Sequence, residues 1–108
     1  MTYRVDQKKW EEFSRDAQLK NIASEFARAT SAGLRAVDHG HVLWQEQAYE
    51  RALAMIDASL DDPKWQDQTL LYELRDAVAA LYAEHSNPAL CRLVMSYVLD
   101  RAEFENRR

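Results

Sequence analysis

The chain has 108 residues, 47% of them apolar and 30% charged, with 14 Lys and Arg against 18 Asp and Glu for a formal charge of −4. That length suits one domain, residues 1–108, and falls below the usual size of two. Two Gly and two Pro are too few for a turn-rich β architecture, so an all-α domain is expected, and most multidomain enzymes are excluded.

Apolar side chains are used sparingly. Sixteen are Ala, and Leu, Ile, Val and Phe together number twenty-three, just above the roughly 20% at which chains tend to stay unfolded. Eleven aromatics favour a folded, helix-rich protein. Charge is uneven: residues 1–37 carry +2, residues 38–67 carry −5 and residues 68–108 carry −1. No segment concentrates Lys and Arg into a phosphate-neutralising footprint, which disfavours nucleic-acid binding as the main activity. The lone cysteine, Cys91, excludes an internal disulfide, and Met1 to Asp6 lacks the apolar stretch of a secretory signal, so a cytoplasmic location is expected. The longest apolar run, Ala77 to Ala83, is seven residues against the roughly 20 a spanning helix needs.

Asp38-His39-Gly40-His41, Asp61-Asp62-Pro63 and Ser86-Asn87-Pro88 punctuate the chain, and the stretches between them repeat apolar residues at helical spacing. The first stretch, Asp6 to Val37, has Asp6 as N-cap. Its Trp10, Phe13 and Ala17 fall on one side, whereas Leu19, Ile22, Phe26, Gly33 and Val37 fall nearly opposite. Either it breaks near Ala17-Gln18 or one helix buries opposite faces against different neighbours.

The second helix, Val42 to Leu60, carries Val42, Tyr49, Leu53, Ile56 and Leu60 on one stripe and Trp44, Ala48, Ala52 and Met55 on an adjacent one. So broad an arc implies two or more partner helices. An acidic ridge of Glu46, Glu50, Asp57 and Asp61 covers the remainder and reads as a solvated face.

The third helix is expected to start at Pro63 behind an Asp cap, with Trp65 in its opening turn, and to run to about His85. Leu70, Leu74, Ala77, Val78 and Leu81 should face inward, with Leu71 and Tyr82 on the shoulder. The last opens at Asn87-Pro88 and turns Leu90, Val94, Tyr97 and Val98 inward, with Phe104 further on. Short connections imply antiparallel neighbours, hence an up-and-down bundle of four helices, or five if the first segment breaks near residue 17.

Chemistry is sparse. No Gly-rich phosphate loop or Gly-x-Ser-x-Gly elbow exists, and no Glu-x-x-His pair suits a di-iron bundle. No cofactor is expected. Cys91 could gain acidity from a helix N-terminus, although lone cysteines mostly pack in cores. Asp38, His39 and His41, with Arg35 before them, are metal-ligand types, and His85 belongs at the same end of an up-and-down bundle, so His39, His41 and His85 form a candidate metal set. A polar turn with a glycine explains the first cluster equally well.

Arg35 with His41, five residues between, resembles the Arg and His pair of HEPN ribonucleases, small all-helical enzymes that set that pair at an RNA phosphate. The likeness covers seven positions, and Ala36 and Gly40 depart from it. It implies a small helical hydrolase, with metal binding as its neighbour, centred on the Arg35 to His41 turn.

The primary expectation is different. Two apolar faces need two surfaces to pack on, which points to a non-catalytic interaction or accessory protein that docks a protein partner or itself, a homodimer being the commonest closed assembly. Trp10, Phe13, Trp44 and Met55 are the candidate anchors.

Overall fold

The structure, a computed structural model, describes the backbone of residues 3–34, 39–83 and 88–106, and the side chains of 3–30, 45–82, 89 and 91–105. Among the described residues five helices follow one another: α1 (Gln7–Glu11), α2 (Arg15–Leu34), α3 (His39–Leu60), α4 (Thr69–Ala83) and α5 (Pro88–Asn106). No strand occurs among the described residues.

Asp6 caps α1 as its sequence position suggests, in an extended conformation with its carboxylate accepting the Lys9 N–H at 3.3 Å. The first stretch does break, but at residues 12–14 and not at Ala17-Gln18. Ser14 supplies the reason. Its hydroxyl accepts the Ala17 N–H at 3.4 Å and so restarts the helix, a local bond that Ser offers in competition with helix continuation. The change of apolar face then coincides with two helices, α1 turning Trp10 inward and α2 burying Leu19, Ile22, Phe26 and Ala29.

Two other boundaries differ from expectation. The sequence places His39, Gly40 and His41 in a turn, yet their backbone forms the first turn of α3, where one Gly costs only about 1 kcal/mol relative to Ala. Pro63 does not open a helix. Asp62 accepts the Lys64 N–H at 2.9 Å and the Trp65 N–H reaches the Asp62 carbonyl at 3.1 Å, so residues 61–68 form a turned connector and α4 begins only at Thr69. There the Asp67 carboxylate accepts both the backbone N–H and the hydroxyl of Thr69.

Long α2 is the centre of the bundle, packed most extensively on α5 and α3. Cross-bundle pairs show each neighbour to be antiparallel. Arg51 near the middle of α3 meets Glu25 of α2, and Asp62 just past α3 meets Gln18 near the start of α2. On the other flank Cys91 at the start of α5 donates to the Phe26 carbonyl, while Glu105 near its end pairs with Arg15. Tyr49 faces Tyr82 between α3 and α4, ring centroids 6.3 Å apart. The result is the expected all-α up-and-down antiparallel bundle, in its five-helix form.

The broad apolar arc of α3 is used inside the protomer. It packs against α1, α2 and α4, burying Ala48, Tyr49, Ala52, Met55, Ile56 and Ala58. A charged group joins the seam: buried Glu25 receives both Arg28, from the same helix, and Arg51 Nε at 2.7 Å. Burying a carboxylate costs several kcal/mol of hydration, and two guanidinium partners offset that cost.

On α5 the inward stripe is Cys91, Val98 and Ala102, with Val94 and Met95 partly covered. Tyr97 and Phe104, expected inside, are exposed instead. At 100° per residue they lie near Leu93 on one face, a right angle or more from Val98, so burying the Val98 line leaves that face out.

Candidate functional site

The four proposed anchors part company. Trp10 is buried, and its indole Nε1 donates to Ser59 Oγ at 3.0 Å, which in turn donates to the Met55 carbonyl. Met55 belongs to the same core. Both are therefore core residues of the protomer. Phe13 stays 44% exposed, set edge-on to Trp10 at 5.9 Å. The Trp44 side chain lies outside the described residues, as do the side chains of His39, His41 and His85, and Arg35 and Asp38 altogether. The hydrolase centre and the His set thus fall outside what the structure describes. Among the described residues no three His, Cys, Asp or Glu come together as a metal site, and none of the helices is long and apolar enough to cross a membrane. Cys91 is fully buried, with its thiol donated to the Phe26 carbonyl at 3.2 Å.

The end of the bundle that holds Trp10 is closed by one residue. Gln18, without exposed surface, donates from Nε2 to the Trp10 carbonyl at 3.0 Å and to Asp62 Oδ2 at 2.8 Å, and its Oε1 accepts the Trp65 indole N–H at 2.6 Å. Burial pushes the Asp62 carboxyl up, but the Lys64 N–H, the Gln18 amide and the Lys64 ammonium outweigh it and hold the group below its ordinary value. Every strong donor and acceptor of this knot is matched, so it offers a ligand nothing.

Across the bundle, α4 and α5 touch only sparsely among the described residues. Between them the Tyr97 hydroxyl donates to Glu73 Oε2 at 3.1 Å. Burial, and then the Glu73 carboxylate, raise the Tyr97 phenol above its usual range, so the hydroxyl stays protonated and keeps donating. This bridge divides the seam into two hollows.

Toward the start of α5 lies an apolar groove of about 240 Å³, floored by Leu74, Ala77 and Val94 and flanked by Leu93. Leu93 is 68% exposed, the most open large apolar side chain described. Six of the eight exposed large hydrophobics, Tyr72, Tyr82, Leu93, Tyr97, Leu99 and Phe104, are on α4 and α5, which locates the uncovered apolar surface of the described residues.

Toward the start of α4 lies a polar cleft of about 310 Å³. Arg15 spans one wall, its guanidinium 5.9 Å from the Trp65 ring and its Nη2 3.1 Å from Glu105 Oε2. Arg101 spans another, with its guanidinium 5.2 Å from the Phe104 ring and its buried Nε without a hydrogen-bond partner. Thr69 and Leu70 bring in the first turn of α4, and Asp67, lowered by its bonds to Thr69 and by the Arg101 charge, completes the rim.

Sequence reasoning passed over Leu93, Arg101 and Glu105. A signal was present: Leu93, Tyr97 and Phe104 recur at i, i+4 and i+11, a second apolar line on a helix whose core line is Cys91, Val98 and Ala102. Comparison with known proteins returns no match, whether to a family model, a curated protein or a solved structure.

Proposed function

We propose that the protein is a non-catalytic interaction module that self-associates, two copies meeting α4–α5 face to α4–α5 face about a two-fold axis. The observation that carries this is the apolar groove beside Leu93, on a helix pair left mutually underpacked. Exposed apolar patches bounded by polar residues mark interaction surfaces, and a two-fold interface needs a surface complementary to itself. Exposed Arg92 near the start of α5 and exposed Asp100 nearer its end supply that complementarity: antiparallel apposition of two α5 helices sets unlike charges opposite one another. Leu93 and Tyr97 take the docking role in place of Trp10 and Met55, while Phe13 remains available outside the face.

Light scattering coupled to size exclusion, run over a range of concentrations, tests the assembly. The expected result is the mass of two chains, reverting to one for Leu93→Glu with an unchanged helical circular-dichroism spectrum. A single-chain mass at every concentration, or a dimer indifferent to Leu93→Glu, overturns the proposal.

A further inference from the structure

We infer that Arg28 and Arg51, gathered on the buried carboxylate of Glu25, form a binding site for the phosphate group of a small ligand. Glu25 lies on the core side of α2 with only 2% of its surface exposed. Its two oxygens are divided: Oε1 accepts Arg51 Nε at 2.7 Å, and Oε2 accepts Arg28 Nη1. One guanidinium would balance the carboxylate, so the trio keeps one excess positive charge in a chain whose formal charge is −4. A guanidinium carries more N–H donors than the one each arginine spends on Glu25, and neither has a further acceptor among the described residues. The Arg28 side chain is 61% exposed and that of Arg51 29%, so both forks can be reached from solvent.

Among the described residues no other acid of α2 or α3 is placed to compete for them. Glu46, Glu50 and Asp57 lie about a quarter turn or more around α3 from Arg51. Asp16, the other acid of α2, is more than three turns before Arg28, bonded to Ser14 and paired with Lys20. Two like charges on a single carboxylate repel each other, and an anion seated between their free edges relieves that repulsion. A carboxylate ligand is used up by one bidentate fork, whereas a phosphate brings three terminal oxygens and more charge, enough for both. Glu25 already orders the two long side chains, which lowers the entropy lost on binding. Two arginines are too few for the charge-neutralising footprint of a nucleic acid, which favours a small ligand.

Titration of the intact, nitrogen-15-labelled chain with sodium phosphate at constant ionic strength, followed through the arginine Nε–H resonances, tests this. The expected result is a saturable shift of Arg28 and Arg51 at millimolar phosphate or glycerol phosphate, the two probes telling a free ion from an esterified one, and none with chloride. Arg28→Gln keeps the neutral Glu25–Arg51 pair, so helicity and melting temperature should stay near those of the parent while affinity falls about tenfold. Arg28→Lys, which keeps the charge but not the fork, should fall between the two. Shifts that do not saturate, equal shifts with acetate, or affinity that survives Arg28→Gln overturns the inference. Tighter binding of a short oligonucleotide than of either phosphate probe overturns the assignment to a small ligand.

Discussion

Two regions of this small bundle handle polar groups in opposite ways. At one end Gln18 gathers a carbonyl from α1 and a carboxylate and an indole from the 61–68 connector, and each bond closes within 3.0 Å. Along the α4–α5 seam a guanidinium Nε is left unmatched, two hollows open, and one Tyr97–Glu73 hydrogen bond spans the gap. The knot holds the fold, and the seam is where we propose that a second copy docks. On that proposal stability and recognition fall on separate residues, which a domain with only about 5–15 kcal/mol of net stability can exploit.

The division can be broken most directly at Gln18. Gln18→Leu leaves the Trp65 N–H buried without an acceptor and the Asp62 carboxylate with Lys64 alone, and should cost about 3 kcal/mol in urea unfolding. Next comes the charged group of the α2–α3 seam. Arg51→Met strands Glu25 with Arg28 alone and should cost about 2 kcal/mol, less than for a fully buried pair because Arg51 is partly solvated. The double variant Glu25→Leu with Arg51→Met should recover most of that loss, and a double variant no better than the single one would show that packing, not charge, sets the penalty.

A smaller effect is expected from acid. Because the folded carboxyl of Asp62 lies below its unfolded value, the unfolded chain takes up its proton first as pH falls. The contribution of Asp62 is therefore complete above the ordinary carboxylate range and is lost as pH drops through the folded value. Asp62→Asn should flatten that acid limb in melts recorded from neutral pH downward. The seam should respond least: Leu93→Glu, measured at a concentration too low for association, should alter stability by no more than about 0.5 kcal/mol. A large loss there would mean that the groove side chains hold the bundle together, and the contrast would collapse.

The fold was largely legible in the chain. Helical spacing of Leu19, Ile22 and Phe26 on the first stretch and of Leu70, Leu74, Val78 and Leu81 on the third finds residues that are buried, and Asp6 and Pro88 mark starts that the structure keeps. Boundaries that depend on side chains bonding distant parts of the chain were not legible. Asp62-Pro63 has the grammar of a helix start, but the Asp62 carboxylate is drawn to Gln18, 44 residues earlier, and the connector turns instead. Trp10 and Met55 looked available for a partner because periodicity gives a face but not what covers it. The α4–α5 face was missed for the complementary reason: Tyr97 follows Val94 by three positions and so passes for core, but it stands on the Leu93 side of the helix and stays exposed.

The knot also gives the protein an optical signal of its own. Two of its three indoles, Trp10 and Trp65, sit buried with their N–H groups donated at 3.0 and 2.6 Å, close to the same glutamine. Loosening of that end alone should quench or red-shift the emission while ellipticity at helical wavelengths holds steady. The natural fluorophores therefore register the first local opening of the molecule without any attached label.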